Sequence, residues 1–503
     1  MVEPRGSVRT PFVVEKDGRK ETSSLPDIIL IALAGIVIPG LLAYGFAVQH
    51  EMWVVVISAC VLGLMLIIAK PFWGLVFFVA LLYSRPEESI RALAGMHLTM
   101  VISLTTLAGM IFKLLLDRAA LVRTPFIGMM VGLYAAIVWS AIFGGKMGEA
   151  LNDGGRLVML IVLILNLCRT PNSYRALVTS LIVFSCYLAI YSVFMYSTGT
   201  VTMDQGLARS RGTGIFSDPN DLAATMTAGL ALAFSRVLDR QGISRLVYCL
   251  LAGTMVWAIV LTNSRSGLLA LIVMCTGYLI VFSKNRAKAV VLAALLAASL
   301  LAVAPERMRN FDSREESANS RKGFWQEGLT QLKHNPFTGI GYLKFAEVNG
   351  GFVAHNSFVH CFAELGLPGF FFWMGGIYYA FKKPQNEVES ASADGKEGVE
   401  PAASNENTVV QSVAAASVSD ARDLLGSRLA IIGYLTACFF ITRTYTPVMY
   451  VLFCLPLAQQ ISQRKSHIFD SGTLAQRFRQ WCAIGGLCLG MIVIIQLLVL
   501  KSW

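Results

Sequence analysis

Charge is scarce in this chain. Only 15% of its 503 residues are Asp, Glu, Lys or Arg, whereas 55% are hydrophobic. A soluble core could not bury so much apolar surface, so the composition excludes an ordinary soluble protein. Basic residues still outnumber acidic ones and give a formal net charge of +11. Because they concentrate in alternate connections between apolar runs, this excess indicates membrane orientation and no nucleic-acid partner.

Paired cysteines and nucleotide motifs are missing as well. The ten cysteines lie in or beside apolar runs, and no two have the spacing of zinc ligands. Disulfides and a structural metal are therefore not expected. The sequence also has no Gly-Lys-Ser/Thr element, so nothing in it supports a P-loop nucleotide site.

Apolar runs of about 20 residues, the length that crosses a bilayer, make up much of the chain. They predict an all-α, polytopic integral membrane bundle of roughly twelve to fifteen spans. The long runs lie near 28–48, 98–116, 125–144, 176–198, 246–263, 267–283 and 482–500. Shorter runs lie near 52–69, 72–83, 157–168, 220–235, 289–304, 356–381, 428–442 and 447–462.

Basic residues set the predicted orientation. The first 27 residues are basic, and no cleavage pattern ends the apolar run that follows, which predicts a cytoplasmic tail and a retained first span. Lysine and arginine recur in every second connection, as the positive-inside rule requires. The outward connections are then 199–219, the turn at 263–265, the loop 305–355 and residues 443–445.

The chain is predicted to have six segments. They are a cytoplasmic tail (1–27), a transmembrane bundle (28–304), an outward loop (305–355), a transmembrane helix (356–381), a disordered cytoplasmic linker (382–427) and C-terminal transmembrane helices (428–503). The linker is predicted from its acidic, Ala/Ser-rich composition. In the outward loop, Trp325, Leu329 and Leu332 recur at helical spacing before Pro336, which predicts an amphipathic helix on the membrane face.

Arginines stand at two predicted helix starts on the outward side. Asp218 and Pro219 are a typical cap and first-turn pair, and Arg209 and Arg211 precede them among glycines, an arrangement suited to an anion. Arg265 opens another apolar helix, where its charge opposes the helix macrodipole. A bound phosphate would remove that conflict, whereas the structural alternative is an arginine that snorkels to lipid head groups.

The outward loop adds a third arginine and a histidine. Arg321 lies one turn before the tryptophan of the predicted helix, so it either supports packing or faces a cleft. His355 places a titratable imidazole at a water-facing edge, where it can act as a base, although it could also simply cap the next helix. Glu364 is expected in a buried pair on the opposite helix face, with an arginine as one candidate partner.

Several arginines and one histidine on a single membrane side fit glycosyl transfer from a lipid diphosphate. A neutral imidazole can accept the proton of an attacking hydroxyl while arginines stabilise the departing diphosphate. Most metal-dependent enzymes of this kind would need paired carboxylates in the first outward loop, where this chain has only Gln49-His50-Glu51. The sequence therefore predicts no metal and no other cofactor.

These residues resemble the O-antigen ligase and Wzy-type polymerase superfamily over about 200–380. His355-Asn356-Ser357 with Glu364 is similar to the start of its His-Asn/Ser…Glu-x-Gly-x-x-Gly signature. The other similar elements are Gly366 and Gly369 of that signature, Arg265 with Leu269, Arg321 with Trp325, Asn335-Pro336 and Gly339-Ile340-Gly341, and Arg211 with Asp218-Pro219-Asn220.

The resemblance implies a multi-pass GT-C-type glycosyltransferase of the bacterial inner membrane, with a cytoplasmic N-terminus and a periplasmic active site. It implies an undecaprenyl-diphosphate-linked oligosaccharide donor, a glycan or lipid A-core acceptor, surrounding membrane lipid, and other polysaccharide-assembly proteins as further partners. Transfer is expected to invert the anomeric centre. The implied roles are base for His355, diphosphate or substrate binding for Arg265, Arg321, Arg211 and Arg209, and support for Glu364, Asn356 and Asn220.

Three alternatives stay open from the sequence. Polymerase and ligase share a donor, and only Asp218-Pro219-Asn220 favours the polymerase. A transporter or flippase of lipid-linked glycan would carry ionisable groups well inside its spans and helices broken near the midplane. A catalytically inactive scaffold would be indifferent to loss of His355.

Overall fold

The computed structural model describes residues 51–93, 95–204, 206–305, 308, 316–382, 406–463 and 473–500. The chain divides into two compact units, Met1–Lys70 and Pro71–Trp503. Of the first unit, one apolar helix is described, α1 (Glu51–Ala69). The predicted cytoplasmic tail and the span near 28–48 lie outside the described residues.

The described part of the second unit is helical apart from one short hairpin. Its long helices are α2 (Pro71–Ser84), α3 (Leu98–Leu116), α4 (Pro125–Gly144), α5 (Met147–Leu167), α6 (Pro171–Ser197), α7 (Pro219–Asp239), α8 (Gly242–Leu261), α9 (Arg265–Phe282), α10 (Arg286–Val303), α11 (Glu316–His334), α12 (Ser357–Phe381), α13 (Glu406–Cys438), α14 (Pro447–Ser462) and α15 (Leu474–Leu500). The hairpin strands β1 (Thr202–Asp204) and β2 (Leu207–Arg209) run antiparallel, with Thr202 opposite Arg209.

Membrane-spanning length is common among these helices. Within the described residues, nine helices are at least 18 residues long and apolar enough to cross a membrane, namely α3 to α9, α12 and α15. Helices α10, α13 and α14 overlap the shorter runs expected near 289–304, 428–442 and 447–462. The prediction of an all-α, polytopic membrane protein is confirmed, and the larger span count stays a prediction.

Helix α7 lies at the centre of the bundle. In its most apolar stretch 89% of residues are buried, against 17% for α8 and 22% for α15. Its small side chains allow close packing, since a Cβ on Gly229 would lie 2.5 Å from the Ser185 hydroxyl. The exposed leucines of α8 and α15, such as Leu250 and Leu489, give those helices an apolar outer face suited to lipid.

Helix α12 is broken in its middle. Gly366 has φ 66° and ψ −170°, and Pro368 follows without a backbone N–H, so the carbonyls of Ala363 and Glu364 lose their helical partners. Backbone amides of the segment 335–341 donate to these two carbonyls at 2.9 and 3.3 Å. The glycine signature and the preceding loop therefore form one interlocked element, which satisfies the exposed backbone groups inside the bundle.

The predicted amphipathic helix is present as α11. Its apolar residues Trp325 and Leu332 are buried, and the helix packs against α12. The indole N–H of Trp325 donates to the Ala354 carbonyl at 3.1 Å. The helix thus packs on the bundle and fixes the backbone just before His355.

The prediction of a disordered linker over 382–427 is wrong for its second half. Helix α13 begins at Glu406, and Asp423 forms a buried ion pair with Arg236 of α7 at 2.8 Å. Arg422 donates to the Leu238 carbonyl at 2.7 Å. These long-range contacts supply stabilisation that an acidic, Ala/Ser-rich composition does not reveal. Residues 383–405 lie outside the described residues.

Candidate functional site

A polar cavity of about 250 Å³ lies where the β-hairpin, the starts of α7 and α9, and the loop before α12 meet α11. We call it the arginine cavity. Residues important for its chemistry are Arg209, Asp218, Asn220, Arg265, Arg321 and His355. The three arginines, the histidine and Asn220 were all singled out in the sequence, and they are brought together from segments more than 140 positions apart.

The buried side chain of Arg209 lines this cavity and bonds to the segments around it. Its side chain is 6% exposed and donates to the Thr262 carbonyl at 2.8 Å, to Asp204 at 2.9 Å and to the amide oxygen of Asn220 at 2.9 Å. The Ser264 hydroxyl donates to the same Asn220 oxygen at 2.7 Å. Arg209 therefore ties the hairpin to the starts of α7 and α9 and positions the residues around it.

Arg265 is the first residue of α9, as predicted. Ser264 caps the helix by accepting from the Gly267 amide at 3.2 Å, and Asn263 has a left-handed φ of 49°. A cationic side chain beside the positive end of a helix concentrates positive potential at the cavity wall. Such a wall favours a phosphate or diphosphate.

His355 is held in a left-handed backbone conformation, with φ 49°. Such a conformation costs about 1–3 kcal/mol and is typical of functional sites. Its neighbours fix it on both sides, because Ala354 accepts from α11 and the Asn356 side chain caps α12 by accepting from two backbone amides at 2.9 and 3.2 Å. The ring of Phe324 lies 6.5 Å from the imidazole. The imidazole is thus anchored at the cavity edge.

The environment lowers the pKa of His355 from its ordinary value of 6.5. Partial burial is the main cause, the positive charge of Arg321 adds to it, and Asp218 partly opposes it. A lowered pKa keeps the imidazole neutral, and so able to accept a proton, at and below neutral pH.

Substitutions at the two charged neighbours should move this titration in opposite directions. Arg321→Gln removes a repulsive positive charge, so the pKa of His355 should rise and the acid limb of kcat/KM should move to higher pH. Asp218→Asn keeps the helix cap but removes the stabilising negative charge, so the limb should move to lower pH. Normalised pH–rate profiles of the purified proteins measure both shifts. An acid limb shared by all three proteins would show that His355 does not control the rate.

Three predicted site residues lie away from the arginine cavity. Arg211 is exposed and does not line it, although the amide of the preceding Ser210 donates to the Leu261 carbonyl at 2.9 Å. Asn356 is fully buried and serves as the cap of α12. Glu364 lines a different cavity. The sequence predicted substrate binding for Arg211 and a supporting role for Asn356 and Glu364, but it does not show which cavity a side chain lines.

Glu364 has buried partners, as expected, but among the described residues the arginine considered as one candidate is not among those partners. Its carboxylate accepts from the Phe345 amide at 3.0 Å and from the Tyr445 hydroxyl at 3.0 Å, and it lies 3.3 Å from His360 Nε2. These groups line a second cavity of about 500 Å³, which we call the carboxylate cavity. His355 thus lies just before the start of α12, and the pair His360 and Glu364 lies three and seven residues after its first residue.

Sequence reasoning missed the contacts that join α12 to the loop 441–446. The Ser357 hydroxyl donates to the Ile441 carbonyl at 2.8 Å and accepts from the Arg443 amide at 2.8 Å. The Arg443 guanidinium pairs with Asp221 in the first turn of α7. Arg443 stood out only as an arginine in an outward connection, and nothing local in the sequence pointed to a partner 222 positions away.

One family model matches the chain. The model described as O-antigen ligase matches residues 250–374. Residues 250–374 are therefore similar to the O-antigen ligase family. The matched segment contains Arg265, Arg321, His355 and Glu364, whereas Arg209 precedes it. The chain is therefore a multi-pass membrane enzyme of the general O-antigen ligase or polymerase type, for which the family implies a lipid-linked glycan donor and a glycan acceptor. No curated protein and no solved structure matches the chain.

Proposed function

We propose that the chain transfers a glycan from undecaprenyl diphosphate to an acceptor hydroxyl at the periplasmic face of the inner membrane, without a metal and with inversion. The observation that carries this proposal is the convergence of His355 with Arg265 and Arg321 on one cavity. A neutral imidazole and guanidinium groups are the base and the anion stabiliser that displacement of a diphosphate requires.

The proposed step is a single displacement. The acceptor hydroxyl attacks the anomeric carbon, its proton passes to the imidazole of His355, and the bond from the anomeric carbon to the diphosphate oxygen breaks. Arg265 and Arg321 stabilise the charge that develops on the departing undecaprenyl diphosphate, while Arg209 holds the surrounding loops in place. Attack opposite the leaving group inverts the anomeric configuration.

An apolar cavity supports a lipid-linked donor. It has a volume of about 640 Å³ and lies between α7, α8, α9 and α10, lined by residues such as Leu230, Gly253, Leu271 and Phe282. Leu271 lies about 9 Å along α9 from Arg265, at 1.5 Å per residue. A diphosphate at the arginine cavity would therefore have an apolar cavity for its prenyl chain beside the same helices.

Filling that apolar cavity with a large side chain should lower the rate of transfer from the natural donor selectively. Gly253 lines this cavity, and a Cβ on it would meet no other atom within 4 Å, so the side chain of Gly253→Trp can begin in open space. Thermal unfolding of the variant checks that the fold is kept. Displacing about two buried methylene groups should lower kcat/KM for the undecaprenyl donor about tenfold. A donor with a short prenyl chain should be affected less. Gly486→Trp on α15, also in open space, is the matched control. Equal losses of kcat/KM with both donors would argue that the apolar cavity does not hold the prenyl chain.

Product analysis with purified protein tests the proposed function and separates its two forms. The protein receives undecaprenyl-diphosphate oligosaccharide, with or without lipid A-core. Lengthening of the donor alone identifies a polymerase, to which the Asp218-Pro219-Asn220 segment points, and product only with lipid A-core identifies a ligase. Absence of any new glycosidic bond in both mixtures contradicts the proposal.

One observation favours a second candidate, transport of lipid-linked glycan. Helix α12 is broken at Gly366, and Glu364 and His360 lie within it. Broken helices and buried ionisable groups are typical of transporters. A transporter would move the glycan across the membrane and leave the sugar–diphosphate bond intact.

A further inference from the structure

The carboxylate cavity comes close to the arginine cavity along the chain. Its lining includes Val353 and Ile215, which lie two and three residues from His355 and Asp218 of the arginine cavity. Arg443, another lining residue, pairs with Asp221 at the start of α7. The two cavities are therefore lined in part by neighbouring residues of the same chain segments.

Most of the positive charge of the carboxylate cavity is neutralised. Arg85 forms an ion pair with Glu88 at 2.6 Å, and the guanidinium of Arg443 forms one with Asp221. Among its described lining residues, Arg156 is the remaining arginine. The cavity therefore differs from the arginine cavity in the sign of charge that it offers to a ligand.

Carboxyl groups outnumber that arginine. Those of Glu87, Asp153 and Glu364 line the same space. An anionic ligand, such as a phosphate or a second diphosphate, would be repelled here. Neutral hydroxyl groups would instead find acceptors.

Polar and aromatic groups converge in the way that a sugar requires. The Tyr342 hydroxyl donates to Asp153 at 3.3 Å, and the rings of Tyr342 and Tyr445 lie 4.9 Å apart. His360 is buried, and its Nδ1 atom has no hydrogen-bond partner among the described residues. A buried polar atom without a partner is costly and indicates a ligand or water that satisfies it. Sugars offer both hydroxyl groups and apolar C–H faces that pack on aromatic rings.

We propose that the carboxylate cavity binds the terminal sugar of the acceptor glycan, and that this sugar is uncharged or carries an amino group. The proposal deepens the proposed function, on which it rests, by naming the chemical class of the acceptor. Binding here would present an acceptor hydroxyl near His355 while the charge of the cavity excludes phosphorylated sugars.

Calorimetric binding to nanodisc-embedded protein, without donor, tests this inference. The probes are the oligosaccharide released from the source organism's lipid-linked repeat and the same oligosaccharide with a terminal phosphate. Wild type should bind the uncharged form more tightly. Asp153→Asn and Tyr342→Phe should each weaken that binding about tenfold, the loss of one hydrogen bond to a charged or buried group. Asp153→Asn should also reduce the difference in affinity between the uncharged and the phosphorylated oligosaccharide.

Two matched variants keep the result specific. Glu149→Gln removes an exposed carboxylate one turn from Asp153 that does not line the cavity, and it should bind as wild type does. His334→Ala, at the exposed end of α11 and outside the lining of both cavities, should also retain binding. Equal or tighter binding of the phosphorylated form, or no binding of the uncharged form, would overturn the inference. The experiment measures binding and not turnover, so its result can be interpreted even if the proposed function proves wrong.

Discussion

Replacing His355 with alanine is expected to lower kcat by about a hundredfold to ten-thousandfold, the usual contribution of a positioned general base. The imidazole lines a cavity with Arg265 and Arg321, and its pKa is lowered by burial and by Arg321, so it is neutral at physiological pH. Without it, the acceptor hydroxyl must lose its proton to water. Initial rates of glycosidic bond formation by purified protein measure the effect.

The control for this prediction is a second histidine. His334 is exposed at the end of α11 and does not line the arginine cavity, so His334→Ala should leave kcat within about twofold, as expected for a surface change. Thermal stability of both variants should match wild type. Wild-type turnover by His355→Ala would eliminate the base mechanism.

Loss of the Asp423 carboxylate is expected to produce the largest change in stability. Asp423 and Arg236 are each about 1% exposed and lie 2.8 Å apart, and Arg236 is the largest charged side chain buried in α7. Asp423→Ala would leave a buried, unpaired guanidinium. Removing one partner of a buried ion pair costs about 3–5 kcal/mol of unfolding free energy. Unfolding in detergent micelles, followed by heat or denaturant, measures the loss.

A neighbouring acid and a double variant separate the charge effect from loss of packing. Asp420, three residues earlier on α13, faces Arg175 at 3.6 Å with about a third of its side chain exposed, so Asp420→Ala should cost at most about 1 kcal/mol. The pair Arg236→Met with Asp423→Leu should recover most of the stability, because it removes both charges together. If Asp423→Ala and Asp420→Ala cost the same, the buried pair does not hold α13 to α7.

Local sequence patterns predicted the helix starts that surround the arginine cavity. Asp218 was readable as a helix cap, and Arg209 and Arg265 as arginines suited to an anion, because capping and helix-dipole effects depend on a few adjacent residues. The long apolar runs likewise marked the spans. What could not be read was partner choice over long distances, as for Asp221 with Arg443 and Asp423 with Arg236. Pairing of this kind depends on the packed bundle and leaves no local signal.

The break in α12 is a second feature whose long-range partner the sequence does not identify. Gly366 and Pro368 signal an interruption, but the sequence does not say which segment satisfies the carbonyls that the break exposes. In the structure this is the segment 335–341, and its glycines allow the close approach, since a Cβ on Gly339 would collide with the Glu364 carbonyl. The spacing of the signature therefore reflects packing as much as chemistry.

The most direct test of the account is the fate of the sugar–diphosphate bond in proteoliposomes given undecaprenyl-diphosphate oligosaccharide and acceptor in the presence of EDTA. The account predicts that wild type releases one undecaprenyl diphosphate for each glycosidic bond formed, and that His355→Ala forms almost none. Movement of intact donor across the membrane without bond cleavage, or equal cleavage by the variant, would contradict it.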